Sequence, residues 1–148
     1  MFRPRFHLAF GVDDLDAARA FYGGVLGCRE GRSDERWVDF DLHGHQVVAH
    51  LDDASDATLR ADVATNPVDG HEVPAHHFGL VLPVAAWRRL ADRLAAADVP
   101  FLMEPTTRFT GEIGEQHTLF VTDPAGNALE FKAFVADEAV FCADPSAP

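Results

Sequence analysis

Two stretches of the chain carry the same order of apolar and polar positions. Residues 7–12 and 77–82 are segments of strand length, each opening on a histidine. Side chains alternate across a strand, so parity assigns the faces. Leu8, Phe10 and Val12 share one face, opposite His7, Ala9 and Gly11; Phe78, Leu80 and Leu82 oppose His77, Gly79 and Val81. A helical period follows each segment. Leu15, Ala18, Phe21 or Tyr22, and Val25 or Leu26 recur at three- and four-residue steps. Asp13 or Asp14 supplies an N-cap, and Gly27 stands where a helix-ending glycine belongs. Trp87, Leu90, Leu94 and Ala97 repeat the spacing, with Pro100 beyond the end.

Further strands are expected after each helix. Arg36–Leu42 and Gln46–Leu51 flank a turn at His43, Gly44 and His45, while Phe101–Glu104, Thr118–Thr122 and Ala128–Phe134 follow in the second half. Asp123, Pro124, Gly126 and Asn127 make a strong turn between the last two, which sets Gly126 roughly opposite Gly44. The pattern reads as a duplicated strand–helix–strands unit; the competing reading is an α+β domain without duplication. The expected organisation is one domain over 1–148, with a first module at 5–53, a connector at 54–75, a second module at 76–135 and a tail at 136–148. The connector has room for a short helix near Thr58–Val63, and Pro105–Gln116 is expected as a loop. Each is either a binding lid or a plain solvated linker.

Composition removes several classes of function. At 148 residues and 47% hydrophobic content the chain can bury a core without disulfides. No apolar run approaches the ~20 residues of a membrane helix, so no membrane partner is expected. Twelve basic residues against 24 acidic ones, with Lys132 as the single lysine, argue against nucleic acid. Cys28 and Cys142 match no metal or redox spacing and read as ordinary thiols. Residues 1–7 carry no secretory pattern, so a soluble cytoplasmic protein is expected.

The candidate chemistry lies on the less apolar strand faces. Glu130 opposes Leu129 and Phe131 in the last strand, and a carboxylate turned inward is costly unless it is paired or coordinates a metal. One histidine at a strand start is usually structural. Two at matching places of a repeat, with an inward glutamate, suggest a divalent metal held by His7, His77 and Glu130; the other reading makes all three structural. His76 adjoins His77 with the opposite parity, so the repeat favours His77.

His7-Leu8-Ala9-Phe10, the run from Asp14 through Phe21, Tyr22, Leu26 and Gly27, His77-Phe78-Gly79-Leu80-Val81, and Asp123 through Gly126 to Leu129-Glu130-Phe131 resemble the vicinal oxygen chelate superfamily. That superfamily includes glyoxalase I, extradiol dioxygenases and bleomycin-resistance proteins, and the chain is most similar to small extradiol dioxygenase-like members. The resemblance implies an α+β fold of two βαβββ modules whose mixed sheets curl around a metal cleft. It also implies metal ligands at His7, His77 and Glu130, a small-molecule substrate with adjacent oxygens, and a homodimer. Glyoxalase-type members carry a further glutamate at the place of Val48, which cannot coordinate. Two histidines and one carboxylate suit Fe(II), with Mn(II), Zn(II) and Ni(II) also accepted. The expected activity is a dioxygenase-like oxidoreductase; the alternatives are a glyoxalase-type lyase or isomerase and a non-catalytic small-molecule binder.

Three more residues enter on position. His50 shares parity with Val48 and is either the acid–base histidine such a dioxygenase needs or a structural one. Those relatives also place a tyrosine near the metal, whereas the one tyrosine here, Tyr22, lies on the first helix. Arg108 and Gln116 precede the penultimate strand and are candidates for substrate binding, Arg108 as an anion anchor or an ordinary surface arginine.

Overall fold

The computed structural model describes residues 2–52 and 64–144, and these form two compact units. The first unit begins with β1 (His7–Val12) and α1 (Leu15–Ala18). Asp14 caps α1 by accepting from the backbone N–H groups of Asp16 and Ala17 at 2.8 and 3.0 Å. The helix continues as a wider π-type turn over Arg19–Val25, closed by Leu26 N–H donating to the Phe21 carbonyl at 2.9 Å. Both Phe21 and Tyr22 are buried by this turn. Gly27 then ends it at φ +75°, a conformation a Cβ would strain.

Strands β2 (Arg29–Asp34), β3 (Trp37–Leu42) and β4 (His45–Leu51) complete a sheet of order β1-β4-β3-β2, in which β1 runs parallel to β4 and the other pairs are antiparallel. His43 and Gly44 join β3 to β4 with φ of 52° and 89°, the paired left-handed residues of a tight hairpin. The apolar face packs under the helical segment. The Tyr22 ring meets Phe10 and Phe40 at 5.2 and 5.3 Å, and its hydroxyl donates to Asp123 Oδ2 at 2.8 Å. Burial first, and then the Asp123 charge, hold the Tyr22 pKa well above its usual value.

The second unit repeats this topology. After β7 (Phe78–Val81) and α2 (Val84–Ala96) come β8 (Phe101–Arg108), β9 (Gln116–Thr122) and β10 (Ala128–Phe134), in the order β7-β10-β9-β8. Here β7 is parallel to β10, as β1 is to β4. Trp87 of α2 donates its indole N–H to the Phe131 carbonyl at 2.8 Å and stacks on His117 at 5.2 Å, so the helix covers one face of the sheet. The two α+β modules expected from the repeat are therefore present. Neither Cys28 nor Cys142 is in a disulfide.

Three expectations need correction. β2 was not anticipated, because all six of its residues are exposed and Arg29, Glu30, Arg32 and Asp34 give no apolar alternation; a charged edge strand discourages pairing with other chains. The connector contains a hairpin, β5 (Thr65–Val68) and β6 (His71–Pro74), turned by Asp69 and Gly70 at φ of 48° and 82°. Its one fully buried side chain, Val73, packs with Met103 and Phe120. The helix expected near Thr58–Val63 lies outside the described residues. Finally, the first part of the segment expected as a loop at Pro105–Gln116 is strand. β8 continues to Arg108 through register shifts between Met103 and Thr106, which is where an edge strand accommodates a proline.

Candidate metal site and its surroundings

Glu130 sits mid-way along β10 and His77 directly precedes β7. Their side chains meet: His77 Nε2 is 3.1 Å from Glu130 Oε2, with 29% and 14% of the side chains exposed. The other ring nitrogen, Nδ1, lies 2.7 Å from the Pro74 carbonyl. A carbonyl only accepts, so Nδ1 carries a proton, and in the neutral ring the lone pair is then on Nε2. A lone pair facing a carboxylate oxygen needs a cation to hold them together, either a proton or a metal ion. Two donors about 2.1 Å from one ion and at right angles stand about 3 Å apart, so the observed separation fits a shared divalent ion.

Glu130 is prepared in the same sense. Its Oε1 accepts from the Thr118 hydroxyl at 2.7 Å and lies 3.5 Å from the Lys132 ammonium, leaving Oε2 turned to His77. Phe120 packs edge-on against the His77 ring at 5.1 Å and fixes its tilt. Gly79 lies opposite Glu130 in the β7–β10 register, where a Cβ would overlap the Glu130 carbonyl oxygen. A bare glycine is what lets the two strands close at this point.

His7 belongs to the first unit and is exposed at the start of β1. Its Nδ1 is 2.8 Å from Gln46 Oε1, and the Gln46 amide group donates to Asp39 Oδ2 at 3.1 Å. Asp39 can only accept, so it fixes the Gln46 amide with its oxygen toward His7. His7 Nδ1 therefore carries the proton and Nε2 is free, the same tautomer as in His77. Arg32 in turn lies 3.5 Å from Asp39. The registers also show which residue of the first unit corresponds to Glu130. Glu130 pairs with Gly79, two residues after His77, and Val48 pairs with Ala9, two residues after His7. Val48 is the twin of Glu130 and is buried.

His77 and Glu130 are thus brought together, while His7 is prepared within its own unit. Within each unit, among the described residues, no group of three or more His, Cys, Asp or Glu side chains gathers to hold a metal. His50 is exposed on β4, paired with Gly11, on the face that carries His7. Arg108 is engaged by Asp69, Nε to Oδ2 at 2.6 Å, and lies over Phe109. Gln116 is buried at the start of β9. The supporting residues Gln46, Asp39 and Thr118 were not singled out in the sequence; strand parity puts Gln46 with His7 and Thr118 with Glu130, and that was the available signal.

Residues 6–131 match the pattern of the Glyoxalase/Bleomycin resistance protein/Dioxygenase superfamily. The chain belongs to this superfamily. A structure described as a glyoxalase/bleomycin resistance protein/dioxygenase from Alicyclobacillus acidocaldarius is 32% identical, with a TM-score of 0.75 and coverage of 93% of this chain and 96% of that one. The fosfomycin resistance protein FosX from Listeria monocytogenes is 16% identical at TM-score 0.67, covering 95% of this chain and 100% of its own. Lactoylglutathione lyase from Agrobacterium tumefaciens is 24% identical at TM-score 0.61, covering 88% and 92%. The last two share the superfamily fold, and their names carry no reaction over to this chain. No curated protein matches the sequence. No described helix is long and apolar enough to cross a membrane.

Proposed function

We propose that the protein is a metal-dependent enzyme of the vicinal oxygen chelate type, with His77, Glu130 and His7 as donors to one divalent ion, Fe(II) or Mn(II) before Zn(II) or Ni(II). A metal bound there supplies Lewis acidity to two adjacent oxygens of a small substrate. The carrying observation is the His77–Glu130 pair, in which the ring Nε2 and a carboxylate oxygen converge at 3.1 Å. Val48 at the fourth position supports three protein donors, which leaves coordination positions open for a bidentate substrate and a further small ligand. That donor set favours an extradiol dioxygenase-like oxidoreductase, working as a homodimer.

The chain's own residues divide the remaining work. The Pro74 carbonyl and Gln46 hold the two histidines in one tautomer, and Thr118 orients Glu130. Proton transfer falls to His50, exposed on the His7 face of the first sheet. Tyr22 cannot take that role: it is fully buried and bonded to Asp123. This loss of a tyrosine favours a second reading, a lyase or isomerase that uses Zn(II), Co(II) or Ni(II) without O₂.

Oxygen uptake by Fe(II)-loaded protein across a panel of catechols separates the two. Consumption of O₂ that falls about 10²–10⁴-fold in His50→Gln, with metal content unchanged, supports the first reading. Conversion of an α-hydroxy or α-keto substrate under strict anaerobiosis moves the assignment to the second. Stoichiometric ligand binding with no turnover under any metal overturns both in favour of a binding protein.

A further inference from the structure

Gln116 is only 7% exposed, and its Oε1 has no hydrogen-bond partner among the described residues. A buried acceptor without a donor is costly, and native proteins retain one chiefly where something outside the chain completes it. The β9–β10 register puts Gln116 on the sheet face that carries Thr118, whose hydroxyl bonds Glu130. Gln116 stands two residues from Thr118 along the strand, about 7 Å. Its neighbour across β8 is Arg108. That guanidinium is already matched by Asp69, so the cation at the paired position is charge-balanced while Gln116 Oε1 stays an unmatched acceptor. An anion gains little there and is repelled by the amide oxygen. An uncharged O–H or N–H supplies the missing donor.

We propose that Gln116 Oε1 receives a hydrogen bond from a neutral hydroxyl or amide group at the end of the substrate remote from its adjacent oxygens. Gln116 is then a specificity residue, and the substrate class is a small hydroxylated or amide-bearing chelator without a terminal carboxylate or phosphonate. The inference rests on the reading of His77 and Glu130 as a metal centre.

The test compares 4-hydroxybenzohydroxamic acid with 4-methoxybenzohydroxamic acid by calorimetric titration of Zn(II)-loaded protein. Both offer a metal the same two adjacent oxygens, and only the first carries a donor at its far end. The hydroxy compound should bind about ten-fold more tightly, and the preference should disappear in Gln116→Met, which keeps the side-chain length without the acceptor. Ligand-free Gln116→Met should also melt about 2–5 °C higher, because it buries no orphan acceptor. Tight but equal binding of the two compounds by the wild-type protein overturns the role of Gln116 and leaves the metal centre standing. Binding of neither overturns the metal centre and this inference with it. A variant that melts well below wild type marks the amide as structural and likewise overturns the proposal.

Discussion

Gly79 lies directly opposite Glu130 in the parallel β7–β10 pair, closer than any side chain would allow. The atom a Cβ would strike is a backbone carbonyl oxygen, which cannot rotate away. Gly79→Ala should therefore cost about 3 kcal/mol, the upper end of overpacking penalties. It should also weaken metal uptake, since the displaced strand carries Glu130. Thermal melting and Zn(II) titration of the variant check both effects, and an unchanged melting temperature would contradict the close approach.

Tyr22 is the chain's one tyrosine, so tyrosinate absorbance reports on it alone. Its folded pKa is raised, chiefly by burial and next by Asp123. The unfolded chain then ionises first as pH climbs past about 10, and stability that is complete below that pH declines above it. The absorbance should rise together with unfolding, not before it. Tyr22→Phe should lose about 1 kcal/mol at neutral pH through the missing hydrogen bond to Asp123 Oδ2 and show a flatter alkaline decline.

The strand faces that carry the candidate donors were legible from periodicity. Alternation assigned His7, His77 and Glu130 to the faces opposite the bulky apolar ones, and the turn glycines Gly44 and Gly126 fixed the repeat register that singled out Val48. The hidden parts have local reasons. β2 is polar on both faces, so no period marks it. The β5–β6 hairpin buries only Val73 fully, although its Asp69-Gly70 pair was a usable signal. The Asp69–Arg108 pair and the Gln46–His7 bond join residues far apart in sequence, and their partners are read from the folded chain.

Gln46 and Thr118 act through the donors they orient. Gln46→Leu removes the acceptor that fixes the His7 tautomer, and Thr118→Val removes the bond to Glu130 Oε1. Each should weaken metal binding about 10–100-fold while the fold survives. Competition titration against a chelator measures this, and wild-type affinity in Gln46→Leu would remove the tautomer argument.

Val48→Glu puts a carboxylate at the twin of Glu130. Buried without metal, it should lower the melting temperature; with Zn(II) or Ni(II) added, the loss should be recovered and exceeded, because the metal then binds the folded state more tightly. A melting temperature that metal does not move would count against Val48 as the missing fourth position.

Metal content of tag-free protein, measured beside Glu130→Ala, shows whether His7, His77 and Glu130 hold an ion. About one iron or manganese per chain should be present in the wild type or taken up from added Fe(II), and lost in the variant while its circular dichroism is unchanged. Wild-type protein that stays metal-free after Fe(II) addition, or a variant that keeps its full complement, would contradict that assignment.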